Sequence, residues 1–325
     1  LGLYRVLADG TGATSRELAS RTNCDERYVR EWLEQQAVTG LLEASPDADA
    51  AARRYMLPRA HAEVLLDRDS LNYVGPIARL AVGALSQLQP LLDAYRSGAG
   101  ISFSAYGADL REGQADINRP PFLHVLAQEW IPAMHGVHER LQRGGKVADL
   151  GCGVGWSAIG IARAYPQATV DGFDLDEASI ASARENVRGT GLEGRVNFAV
   201  RDAGDPALSG QYDLVTILEA LHDMSNPVQA LDASRRLLAD GGSVLVVDER
   251  VADAFTAPGD DIERLMYGWS VFHCLPVGRT ETPSAATCTV MRQSTVRAYA
   301  EAAGFRNVTV LPIDNLFFRL YQLRA

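Results

Sequence analysis

The chain is predicted to be an α/β protein, in which a mostly helical N-terminal part precedes a mainly parallel sheet that ends in an antiparallel C-terminal hairpin. Three observations predict it. From Lys146 onward, short apolar runs alternate with helical patterns, the mark of βαβ units. The first of these runs ends in glycines at 151, 153 and 155, directly before a helical pattern. The first 60 residues instead read as helix, turn, helix and hairpin.

Thr14 to Ser20 reads as a helix opened by a polar cap, and Asp25 caps a second one. In that second helix Tyr28, Trp32 and Leu33 are expected on the apolar side, with Arg27, Arg30, Glu31 and Glu34 on the wet side. Leu41-Leu42-Glu43 and Arg54 to Leu57 bracket a Pro/Asp/Ala turn and suit a hairpin wing, so residues 1–60 form a winged-helix pattern. Residues 61–140 read as helical, interrupted at Gly75-Pro76, Gly98 to Gly100 and Pro120-Pro121. The remaining residues, 141–325, hold five strand-like runs: 147–150, 169–173, 196–200, 214–218 and 243–247. A hairpin of 308–313 and 316–323 closes the chain, and a long insertion occupies 251–292.

Composition narrows the function. With 325 residues, 47% hydrophobic and 22% charged, the chain is globular rather than disordered or collagenous. A net charge of −10 disfavours a general nucleic-acid binder. All the basic residues but Lys146 are arginines, a bias that suits a GC-rich genome. The four cysteines, Cys24, Cys152, Cys274 and Cys288, show no paired framework, which suits a reducing, cytoplasmic setting. No apolar run approaches the roughly 18 to 20 residues of a membrane span. The histidines are dispersed and no metal site is expected, since His135 and His138 beside Glu139 read as a solvated helix face.

Glycines in a strand-turn-helix context let the backbone bend sharply and approach a ligand, while the helix N-terminus favours an anionic group. A dinucleotide site asks for a third small residue where this chain has Trp156. The run Asp149-Leu-Gly151-Cys-Gly153-Val-Gly155 instead resembles the first motif of the class I S-adenosylmethionine-dependent methyltransferases, acid-x-G-x-G-x-G. The resemblance implies a Rossmann-like sheet of seven strands and S-adenosylmethionine as cofactor, cradled by Asp149, Gly151, Gly153 and Gly155. It further implies an acid at the tip of the second strand for the ribose hydroxyls, here Asp174 with Leu175 beside it. Asp176 is read as the cap of the next helix. Asp202 and Ala203, after the third strand, match the adenine-binding motif.

After the fourth strand, Glu219 to Met224 form a loop at the ligand-binding edge of the sheet. His222-Asp223 resembles the His-Asp-Trp segment of small-molecule O-methyltransferases, with Met224 in place of Trp. The resemblance makes His222 the general base and Asp223 its companion, and a histidine titrating near ~6.5 could take a hydroxyl proton. Glu219 is a candidate cofactor contact. The insertion supplies Met266, Tyr267, Trp269 and His273 as candidates for the wall of an aromatic acceptor pocket, with Tyr106 from the other side.

The chain is therefore read as similar to bacterial relatives of the plant-type O-methyltransferases. Such relatives act on small, often natural-product acceptors and dimerise through the N-terminal part, here residues 1–60, with 61–140 as linker and lid. Two alternatives stay open: a methyl acceptor atom of N, S or C, and a winged-helix regulator sensing a ligand. DNA binding is disfavoured by the second helix, where Asp25, Glu26, Glu31 and Glu34 outnumber Arg27 and Arg30.

Overall fold

The computed structural model describes residues 1–325, which divide into two compact units, Leu1–Ala78 and Arg79–Ala325. In the first unit, Thr14 caps the helix Ser15–Thr22 by accepting from the Glu17 N–H, and Glu17 returns the bond to the Thr14 N–H. Asp25 caps the helix Glu26–Val38 through the Arg27 and Tyr28 N–H groups. Two short strands, β1 (Glu43–Ala44) and β2 (Tyr55–Met56), form the antiparallel wing. The second helix turns a different face inward from the expected one. Val29, Leu33 and Gln36 are buried, at i, i+4 and i+7, whereas Tyr28 is 81% exposed. Trp32 is half-buried, edge-on to Tyr4. A one-residue rotation of the apolar stripe explains the difference, since Tyr28 and Val29 are adjacent and only one can face the core.

The second unit holds seven strands. These are β3 (Lys146–Leu150), β4 (Thr169–Asp174), β5 (Val196–Val200), β6 (Tyr212–Leu218), β7 (Leu238–Glu249), β8 (Asn307–Val310) and β9 (Phe318–Arg324). Their order across the sheet is β5-β4-β3-β6-β7-β9-β8. The first five are parallel; β9 runs antiparallel to both β7 and β8. Helices cover both faces, so the central strands bury side chains on each side and read as continuous apolar runs. Val147 and Val170 face one core with Trp130 and Ile159; Ala148, Leu150, Val215 and Val246 face the other. The chain leaves β3 towards β4 and β5, then returns to the other side of β3 with β6. That reversal opens a crevice at the carboxyl ends of β3 and β6, where open α/β sheets bind ligands.

Pro120 and Pro121 do not interrupt the helical region. They lie inside the helix Gly107–His124, near its C-terminal end, and the chain runs on into a π-turn at Leu126–Trp130. Each proline removes one helical N–H donor near that end. No helix is long and apolar enough to cross a membrane.

Candidate active site

A cavity of about 690 Å³ occupies the crevice. Its floor is the glycine turn. Gly151, Gly153 and Gly155 all have left-handed backbone, at φ 72°, 50° and 84°. A Cβ on Gly151 would stand 2.7 Å from the Ala220 Cβ, and one on Gly155 would stand 2.5 Å from the Phe198 ring. A Cβ on Gly153 would meet nothing within 4 Å, and Gly153 lines the cavity. The outer two glycines therefore permit packing, Gly151 while also lining the cavity, and the middle one leaves room for a ligand.

Asp174 ends β4 and lines the cavity. Its two oxygens accept the Gly153 and Asp176 N–H groups, each at 2.8 Å, which ties the glycine turn to the tip of β4. Burial pushes its carboxyl above the usual range despite these donors. Asp176 caps the following helix through the Ser179 N–H, the role read from the sequence. Leu175 is exposed at the cavity rim, and Asp202 and Ala203 line the cavity beyond it.

Asp149 sits one layer deeper. It is 1% exposed, does not line the cavity, and accepts the Ser157 and Thr216 hydroxyls at 2.5 and 2.6 Å. Burial pushes it up to about 6. Its contacts join β3 to β6 and to the helix Trp156–Ala164, so it holds the turn in place rather than touching a ligand.

The loop after β6 carries a dense set of charges. Glu219 lines the cavity with its backbone at φ 52°, a conformation rare for a residue with a Cβ. Its carboxylate accepts the Asn118 side-chain N–H at 2.6 Å. His222 is buried and does not line the cavity. Its Nδ1 lies 3.0 Å from Asp248 Oδ1 and 3.1 Å from Glu249 Oε2, and its Nε2 lies 3.3 Å from Asp223 Oδ1. Asp223 does line the cavity. Burial alone would lower the His222 pKa, but Glu249, Asp248 and Asp223 together more than offset it, and the imidazole is held well above its ordinary range. The expected titration near ~6.5 is thus corrected upward by three carboxylates, two of which the sequence reading did not include. His222, Asp248 and Glu249 have the close spacing of a metal ligand set, and Nδ1 is hydrogen-bonded to Asp248. The Glu219 and Glu249 carboxyls are both pushed up, first by burial and then, for Glu219, by Glu249 itself.

The expected aromatic wall lies elsewhere. Met266, Tyr267, Trp269, His273 and Tyr106 do not line the cavity. Met266 is buried, Tyr267 points outward beside Arg292, and Tyr106 donates to the Phe272 carbonyl at 2.9 Å. His273 packs edge-on to Phe103 and Tyr106, at 5.8 and 4.8 Å between ring centres, and burial lowers its pKa. Trp269 packs against a core of Leu80, Leu110 and Val277. The amphipathic pattern of the insertion reports core burial, not a pocket. The wall is formed instead by Arg111, Gln114, Asn118 and Phe122 on one face of the helix Gly107–His124, together with Phe103, Val277, Thr280 and Glu281. The spacing of three to four residues from Arg111 to Phe122 was visible in the sequence, although a solvated helix would show the same spacing.

Residues 141–290 match a family described as methyltransferase domain. The chain carries a methyltransferase domain. Residues 1–67 match an Rv2258c-like winged HTH domain. Among curated proteins, methyltransferase GfsG of Streptomyces halstedii is 33% identical over 132 residues, which is 40% of this chain and 47% of that protein. The chain spans about half the length of the curated relatives it matches. Among solved structures, an O-methyltransferase family protein from Burkholderia thailandensis superposes with a TM-score of 0.71 at 20% identity, covering 99% of this chain and 93% of that one. Human N-acetylserotonin methyltransferase in complex with SAM gives 0.70 at 17%, covering 100% and 91%.

The cavity fits S-adenosylmethionine, the cofactor that the sequence resemblance implies. Asp174 presents carboxylate oxygen to a diol, Gly153 leaves open space above the turn, and Trp156 blocks the tight packing a dinucleotide turn requires.

Proposed function

We propose that this chain transfers the methyl group of S-adenosylmethionine to a hydroxyl of a small-molecule acceptor, with His222 as general base. The carrying observation is that the glycine turn, Asp174 and Asp223 line one cavity, and that Asp223 stands 3.3 Å from His222 Nε2. The cofactor supplies an electrophilic methyl group, so the protein's part is to position two reactants and to remove one proton.

On this reading the work divides residue by residue. Gly153 and Asp174 hold the adenosine end, Asp202 and Ala203 border its base, and Glu219 stands at the methionine end, where the glycine turn meets Ala220. Asp223 receives the acceptor's O–H and passes its proton to Nε2 of His222. Asp248 fixes the imidazole by taking the hydrogen bond from Nδ1. Because three carboxylates favour the charged imidazolium, the base works on its neutral fraction and turnover rises with pH. His222→Ala should lower the turnover of an identified hydroxyl substrate by roughly 10²- to 10⁴-fold. A loss of only a few fold would refute the base assignment, and an N-, S- or C-methylated product would refute the hydroxyl acceptor.

The winged-helix domain is read as an assembly element rather than a DNA reader. Arg27 and Arg30 are already paired with Glu31 and Glu26 along their own helix, at 2.5 and 3.1 Å. Dimerisation is read through residues 1–60; outside that domain, exposed apolar side chains from Val82 and Leu85 through Leu88 to Tyr95 offer a second candidate face. Leu85→Glu should yield monomers in light-scattering chromatography if that face is the interface. The four cysteines are unpaired, in keeping with a reducing, cytoplasmic setting.

A further inference from the structure

Beneath the methionine end of the cavity the charges do not balance. Asp223, Asp248 and Glu249 converge on one imidazole, that of His222, and Glu219, at the cavity, feels the Glu249 charge. Asp248 and Glu249 are at least nine-tenths buried, and Asp248 Oδ2 and Glu249 Oε2 have no hydrogen-bond donor. Glu249 Oε2 is close to Nδ1, but Asp248 takes that hydrogen. Glu219 is held towards the cavity by strained backbone and by Asn118.

The other groups around the cluster do not supply the missing positive charge. Asp149, on β3, is a further acid, buried on the Ser157 and Thr216 hydroxyls. Cys152, on the glycine turn, is kept as a thiol by burial, and Cys274, beside Asp223, likewise. His273 is kept neutral by burial. From the helix Gly107–His124, Arg119 lies over the Trp156 ring, 4.8 Å from its centre, and Arg111 lies 3.7 Å from Asp176. An uncompensated buried carboxylate takes up a proton, and two that interact share it as a pair. The Glu219–Glu249 pair therefore retains a proton near neutral pH, until a cation enters the cavity.

We propose that Glu219 is the cation-recognition residue of the cofactor site, and that binding of the sulfonium S-adenosylmethionine expels a proton that binding of the neutral thioether S-adenosylhomocysteine leaves in place. The proton passes from the Glu219–Glu249 pair to solvent, and the carboxylate left behind faces the sulfonium. Methyl transfer removes that positive charge, the pair takes a proton back, and the spent cofactor loses its electrostatic hold. This inference rests on the S-adenosylmethionine reading above and concerns how the site tells the fresh cofactor from the used one.

The test is titration calorimetry of the full chain with each ligand at pH 7, in phosphate and in Tris. The dependence of the heat on buffer ionisation counts the protons released. The α-amino and carboxylate groups are common to both ligands, so the difference isolates the sulfonium. S-adenosylmethionine should release between about 0.5 and 1 proton more than S-adenosylhomocysteine. Its affinity relative to S-adenosylhomocysteine should rise by up to about tenfold per pH unit between pH 6 and 7. Glu219→Gln should abolish the excess proton while still binding both ligands, and Glu249→Gln should reduce it. Equal proton counts for the two ligands in the wild-type protein would overturn the proposal while leaving the cofactor reading intact. An undiminished excess in a folded Glu219→Gln variant would overturn it too. If the wild-type protein binds neither ligand, the cofactor reading falls and this inference with it.

Discussion

The glycine turn makes opposite predictions for two substitutions that look alike in sequence. In Gly151→Ala the new methyl would sit 2.7 Å from the Ala220 Cβ, with the backbone at φ 72°. Left-handed backbone costs alanine about 1 to 2 kcal/mol, and overpacking adds about 1 to 3 kcal/mol. For a unit of this size each kcal/mol moves the melting temperature by about 2 to 4 °C, so a drop of about 5 to 15 °C is expected. In Gly153→Ala the strain is similar, at φ 50°, but the methyl meets nothing within 4 Å and points into open space where Gly153 lines the cavity. That variant should melt within about 8 °C of wild type yet bind S-adenosylmethionine at least tenfold more weakly, about 1.4 kcal/mol. Thermal melts without ligand and calorimetric titration with it separate the two effects. If Gly153→Ala binds the cofactor within twofold of wild type, or Gly151→Ala melts at the wild-type temperature, the assignment of packing and binding roles along the turn is wrong.

Asp248→Asn should remove a carboxylate that holds the His222 imidazole charged, so the alkaline rise of kcat/KM should move to lower pH; an unmoved profile between pH 6 and 10 would detach His222 from the proton transfer. Tyr267→Ala should leave kcat/KM within about twofold, because the ring lies off the cavity, whereas Val277→Trp should lower it at least tenfold by filling the wall. The reverse ranking, in the same steady-state assay, would restore the aromatic-wall expectation. Asp149→Asn tests the buried acid beneath the turn. Its folded pKa of about 6 exceeds the unfolded value of ~3.9, so the native state holds the proton more tightly and wild-type stability falls as pH rises through that window. In urea melts at pH 4 and pH 7 the asparagine variant should show a smaller decline than wild type; an identical decline would place the titration elsewhere.

The strands β3, β6 and β7 were legible because they are buried on both faces and so spell apolar runs with little else to mimic them. The convergence of Gly153, Asp174 and Asp202 around one cavity followed from the same reading, since each sits at the carboxyl end of a strand. Faces of helices were harder to read. Tyr28 and Val29 are neighbours with equal claim to the core, and only packing against Leu7, Leu18 and Tyr55 selects Val29. In the insertion, Met266, Trp269 and His273 have the apolar spacing of any buried helix, and periodicity does not say whether the buried side meets a cavity or a core. Asp248 and Glu249 were within reach of the same rule that found Asp174, because both end a parallel strand. Their pairing with His222, 26 residues away for Asp248, depends on β6 and β7 being adjacent, which is a fact of sheet order rather than of local sequence.

The two buried histidines near Asp223 show why sheet order decides chemistry here. His273 Nδ1 lies 4.0 Å from Asp223 Oδ2, and burial favours its neutral form, while His222 lies among carboxylates that favour the charged one. Judged by pKa alone, His273 would be the readier base at neutral pH. Geometry reverses that ranking, because His222 alone has its far nitrogen fixed by a carboxylate, and a transferred proton is stabilised where Asp248 and Glu249 already face the ring. The same carboxylates make a resting imidazolium, which cannot accept a proton. The base therefore works only on the neutral fraction of that ring. Asp248→Asn and Glu249→Gln both weaken the field at His222, and their effects on its apparent pKa should be less than additive.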